Sequence, residues 1–162
     1  MTETLLPFIE AVLVAGLGIW MTLAVYDNWR HPDLNRQAVR MVMQFDVMER
    51  DYPDDYAIIA HRRVNDLRLI NIVFQMIRIT ETTAALALLS GSGLLFLSAA
   101  DLINADIAGI VAIVGVTFFS MIWAGFIIGG NYFHYYYCHQ WGQSNHFMFM
   151  YWGLFVLVVL LI

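Results

Sequence analysis

Three histidines, two methionines and the only cysteine fall in one uncharged stretch, GGNYFHYYYCHQWGQSNHFMFMYW, from Gly129 to Trp152, in which ten residues are aromatic. Cys138, His139 and His146, with Met148 or Met150, make a soft nitrogen–sulfur donor set of the kind that suits copper. Cys138 and His139 are adjacent, however, and no CxxC or HxxxH pair accompanies them, so the spacing builds no closed site. Haem asks for an axial histidine within a span, whereas these histidines flank the apolar runs. Tyrosine, tryptophan and histidine also gather at a membrane–water boundary without any ligand. Copper and haem therefore rank below an interfacial aromatic band, and no cofactor is expected beyond bound lipid.

Three ionisable residues interrupt the apolar runs. Arg78 and Glu81 are three residues apart and share a helix face, which predicts an intramembrane ion pair, with Arg78 close enough to the loop side to reach the headgroups. The competing role is a proton or substrate pathway, the default suspicion for charge inside a span. Glu10 lies towards the opposite surface and is a poor partner for Arg78. No nucleophile–base arrangement and no phosphate-binding glycine loop is present, so no enzyme is expected. A transporter would show broken helices or an internal repeat. Gly91-Ser92-Gly93 is the one candidate break.

The elements that hold these residues follow from composition. The chain is 60% hydrophobic and 13% charged, against roughly 25% charged in a soluble domain. It reads as a single integral membrane domain over residues 1–162. All eight basic residues are arginine; with net charge −5 and no basic face, a nucleic-acid partner is not expected. One cysteine excludes an internal disulfide. Glu3, an overlong apolar run and no small-x-small site argue for a retained first helix rather than a cleaved signal.

Crossing a bilayer takes roughly 20 apolar helical residues, and four runs qualify, at about 5–26, 76–99, 107–128 and 147–162. The fold class is all-α, four transmembrane helices in a bundle. Fifteen of the 21 charged residues lie between Asp27 and Arg68, so 27–75 is the extramembrane connection. In it Leu34, Ala38, Met41, Val42, Phe45 and Met48 recur at helical spacing opposite Asn35, Arg36, Arg40 and Gln44, predicting an amphipathic helix at the membrane surface. Tyr52-Pro53-Asp54-Asp55 should break it. From Asp55 to Ser90 there is no proline or glycine, so the second span is expected to project beyond the bilayer. Four spans put this connection and the Gly129–Trp152 stretch on one side. Small residues at helix-contact spacing are Ala11 and Ala15, Ala87 and Gly91, and the GxxxG pair Gly125 and Gly129.

The run IIGGNYFHYYYCHQWGQSNHFMFMYWGLFVLVVL resembles the last third of a bacterial family of small integral membrane proteins catalogued as domain of unknown function 2165. The pattern is carried by Gly129-Gly130, Tyr132-Phe133, Trp141 and Gly142-Gln143, and upstream by Asp27-Asn28, Phe45-Asp46 and Glu81. The charged Asp51–Arg68 stretch departs from it. The resemblance implies four spans in the bacterial inner membrane, no established activity and no catalytic residues. It also implies periplasmic larger loops, whereas the seven arginines of the first connection favour the cytoplasm; orientation stays open. The expected role is a non-catalytic accessory or scaffolding subunit of a larger inner-membrane complex, such as a respiratory or photosynthetic redox assembly, with other membrane proteins and lipids as partners. A metal or cofactor carrier and a small-molecule transporter or channel are the alternatives.

Overall fold

A computed structural model describes the backbone from Thr2 to Ile162 and the side chains from Leu5 onward; Glu3 lies outside the described side chains. The chain is all helical. α1 (Thr2–Arg30) leads into three short helices, α2 (Pro32–Gln44), α3 (Asp46–Asp51) and α4 (Pro53–Ile59), and a 3-10 turn at Ala60–Arg62. Three long helices follow, α5 (Leu67–Ala99), α6 (Ala105–Tyr132) and α7 (Gln140–Leu161). α1, α5, α6 and α7 are long and apolar enough to cross a membrane.

The helices outrun the apolar stretches that announced them. α5 has 33 residues, about 50 Å at 1.5 Å per residue, well beyond a hydrocarbon core of about 30 Å. It starts at Leu67 because Asp66 accepts a hydrogen bond from the Arg68 amide, satisfying one of the free donors of the first turn. Asn104 does the same for α6, accepting from Asp106 and Ile107. α7 begins at Gln140, so Trp141, Gly142, Gln143 and His146 are helical rather than part of a loop, and the fourth span has ample length.

The expected continuous helix from Leu34 to Met48 is divided at Phe45, which adopts a left-handed φ of 56° and ends α2 with its amide on the Met41 and Val42 carbonyls. Pro53 opens α4 instead of simply ending a helix, a place where its missing amide donor costs nothing. Gly91-Ser92-Gly93 does not break α5, which runs through it. Ser92 Oγ donates to the Ala11 carbonyl at 2.9 Å, and a Cβ on Gly91 would lie 2.7 Å from Ala112 Cα. The triplet is where α5 meets both neighbours.

The long helices pack in chain order, α1 on α5, α5 on α6 and α6 on α7. Their shared core is Ala11, Val14, Leu17 and Met21 of α1, Ala84, Leu88 and Leu95 of α5, and Ala108, Ala112, Val116 and Phe119 of α6. The steps are of three, four or seven residues, as one helix face must have. α1 and α7 meet through aromatic rings, Trp20 lying 4.2 Å from Phe149 between ring centroids and Trp152 coming up against Gly16; Trp20 also lies 5.6 Å from Trp123 of α6.

Two expected packing positions behave differently. Ala87 and Gly91 lie in the α5–α6 contact, Ala87 beneath Gly115. Gly125 and Gly129 are exposed, and a Cβ on either would meet nothing within 4 Å. The GxxxG pair therefore does not hold this chain's own helices together.

Candidate functional site

The α1–α5 and α6–α7 connections meet at one end of the molecule. Phe45, Met48 and Ile59 form a small second core, against which Tyr56, Phe133 and Cys138 pack. The Phe45 and Phe133 rings are 5.8 Å apart, and Tyr52 meets Tyr137 edge-on at 5.2 Å. Polar bonds cross the same seam. Arg62 Nη1 donates to the Tyr132 carbonyl at 3.1 Å and to His134 Nε2 at 3.0 Å. Because Nε2 accepts there, the His134 proton is on Nδ1, which faces the Tyr136 hydroxyl at 2.9 Å. Tyr137 donates to Asp55 at 3.3 Å. Phe45 and His134 both hold positive φ, a conformation costing about 1–3 kcal/mol in a non-glycine residue, and both lie at this seam.

Burial and charge tune the groups here. Burial raises the Cys138 thiol, with Asp51 adding to the effect and Arg50 opposing it. Burial lowers the His139 imidazole and pushes the Tyr135 phenol up to about 12. The Asp55 carboxylate raises the Tyr137 phenol, since a second negative charge beside it is unfavourable. Neutral forms of the thiol, imidazole and phenols prevail at neutral pH. The space between the connections, lined by Met41, Phe45, Met48, Phe133, Cys138 and His139 among others, amounts to about 10 Å³, room for about one water.

Cys138, His139 and His146 are not brought together. Cys138 turns to the Phe45 cluster, and His139 precedes α7. His146 stacks on Phe126 at 5.0 Å and on Tyr135 at 5.9 Å, with the Tyr135 hydroxyl 3.2 Å from its Nδ1. Among the described residues no group of three His, Cys, Asp or Glu side chains converges on a metal-sized site. Gly130 is the member of the glycine pair with a steric reason, because the Tyr135 ring folds over it and a Cβ would come within 2.5 Å of Tyr135 Cδ1. Gly142 faces open space. Gln143 donates to Asn131 at 3.2 Å, joining the start of α7 to the end of α6. Trp141 is 80% exposed.

The expected Arg78–Glu81 ion pair is replaced by two separate arrangements. Asn28 Nδ2 donates to Glu81 Oε2 at 2.6 Å, and Asn35 donates to Asn28 Oδ1. Arg78 instead lies over the Trp29 ring, its Cζ 3.7 Å from the centroid, while Trp29 Nε1 donates to Thr82 at 3.1 Å. Both Arg78 and Glu81 are buried. The cause is competition: α1 offers Glu81 a neutral amide and Arg78 an aromatic face. Asn28 stood out in the sequence only through the family pattern, and Trp29 and Asn35 carried no signal of this role. Glu10, half-buried in α1, enters none of the four ion pairs among the described residues.

Residues 6–162 match the family described as predicted small integral membrane protein (DUF2165). The chain belongs to that family. As a DUF2165 protein with four long apolar helices, it is a multi-pass protein of the bacterial inner membrane. No curated protein and no solved structure matches it.

Proposed function

We propose that the protein is a non-catalytic accessory or scaffolding subunit of a larger inner-membrane complex, such as a respiratory or photosynthetic redox assembly. The observation that carries this reading is the direction of the GxxxG pair. The chain's own close helix contacts use Gly18, Gly91, Gly115 and Gly153, while Gly125 and Gly129 present a bare strip of α6 outward. Such a strip lets a second backbone approach closely, the way membrane helices associate when hydrophobicity gives no preference between helix and lipid.

The connection end supports the same reading. Exposed tryptophan, tyrosine and arginine are the residues that anchor interfaces, and Trp141, Tyr132, Tyr136 and Tyr137 are exposed there beside the arginines of the α1–α5 connection. In this arrangement α2 lies outside the hydrocarbon as an amphipathic helix, with α3 and α4 completing an extramembrane platform for a partner.

Purification in a mild detergent tests the proposal. The expected result is a particle larger than the monomer that carries other membrane polypeptides and falls apart on Gly125→Leu with Gly129→Leu. A wild-type chain that runs alone at monomer mass overturns it.

A further inference from the structure

Arg78 has an electrostatic problem that the protein itself does not solve. It is 8% exposed, and none of the four ion pairs among the described residues includes it. Its Nε is buried without an acceptor. A guanidinium carries five donors and cannot give up its proton in a protein, so burial without an anion is unfavourable. The nearest carboxylate on its own helix, Glu81, is engaged by Asn28.

The groups that touch Arg78 are aromatic rings rather than hydrogen-bond acceptors. Trp29 covers the face of the guanidinium at 3.7 Å, and the Phe74 ring centroid is 5.7 Å away. Stacking uses the face only, and all N–H donors of the fork point outward in its plane. The stack therefore orients the fork for a bidentate oxyanion, for which arginine geometry is suited. Its level in the molecule identifies the source. Trp29 belongs to the last turn of α1, and Tyr26 and Trp29 are exposed there beside Met76 and Ile79 of α5. Exposed aromatic residues at a span's end lie at headgroup depth, where phosphodiesters are the abundant oxyanions.

We propose that Arg78, held by Trp29, binds the phosphate group of a membrane phospholipid. The site is independent of the outward strip on α6 and of any partner protein.

Delipidated protein in a phosphate-free, uncharged detergent provides the test, read as the thermal unfolding midpoint. Phosphatidylglycerol should raise the midpoint by roughly 5 °C at saturation. Diacylglycerol with the same chains, and inorganic phosphate, should each leave it within about 1 °C. Arg78→Gln should abolish the phosphatidylglycerol shift, and Trp29→Leu should reduce it. An equal shift from diacylglycerol, an equal shift from inorganic phosphate, or an undiminished shift in Arg78→Gln each overturns the proposal. Should Arg78→Gln fail to fold, the three additives on the wild-type protein together with Trp29→Leu decide it, and no shift with phosphatidylglycerol overturns it.

Discussion

Asn28 of α1 donates to Glu81 of α5 across 2.6 Å, and Asn35 of α2 donates in turn to Asn28. Three helices are thereby joined through one buried carboxylate. Removing the donor leaves an unsatisfied acid in the bundle, which costs about 1–3 kcal/mol. Asn28→Leu should destabilise the protein by that amount in denaturant unfolding in micelles. Glu81→Gln retains an acceptor for Asn28 and should cost less than about 1 kcal/mol. Equal losses for the two variants would mean that the bond contributes nothing specific.

Glycines of similar appearance should respond with opposite sign. A methyl at Gly91 would press on the Ala112 backbone at 2.7 Å, and one at Gly125 meets nothing within 4 Å. Gly91→Ala is expected to destabilise by about 1–3 kcal/mol, as overpacking does. Gly125→Ala is expected to be neutral or to stabilise the isolated chain by up to about 1 kcal/mol through helix propensity. Unfolding midpoints of the two variants side by side check the pair.

Trp20 lies among Phe119, Trp123 and Phe149 and ties α1 to α6 and α7. Trp20→Ala should cost about 3–5 kcal/mol and remove much of the near-ultraviolet circular dichroism that coupled aromatic rings produce. Trp141→Ala, at a site 80% exposed, should leave stability within about 0.5 kcal/mol.

Stability should fall in mild acid, in part through His139. Burial holds its imidazole below the ordinary value, so the unfolded chain binds a proton more readily than the folded one. The His139 contribution is then full above about pH 6.5, the ordinary histidine value, and is lost as pH falls from there through the folded value. His139→Gln should flatten the pH dependence of the thermal midpoint between pH 7.5 and 5; an unchanged slope would assign the dependence elsewhere.

Much of the architecture was readable because membranes impose long apolar runs. The four spans, the helical character of the first connection, and its meeting with the aromatic stretch at one end all follow from hydropathy and an even number of crossings. Helix ends were less readable, since α5 and α7 extend through polar residues that capping and packing stabilise and that hydropathy ignores. The break of the amphipathic segment at Phe45 was invisible because it comes from a left-handed φ in a residue that rarely adopts one. Local spacing misassigned Arg78 and Glu81: three residues apart on a face, they are claimed by α1 through Trp29 and Asn28, contacts about fifty residues away that no helical period encodes. Spacing also left open which small-residue pairs act within the chain, and only the backbone approach at Gly91 separates it from Gly125.

The meeting of the two connections gives the molecule a chemical polarity. Cys138 is the only cysteine in the chain, and it lies at that end, among Phe45, Met48 and Phe133. A membrane-impermeant maleimide is expected to label this half-buried thiol from one compartment alone. Sealed right-side-out and inverted vesicles, treated at mildly alkaline pH because burial keeps the thiol protonated, should give opposite labelling. The native chain thus carries its own one-site compass for which face of the inner membrane the arginine-rich platform occupies.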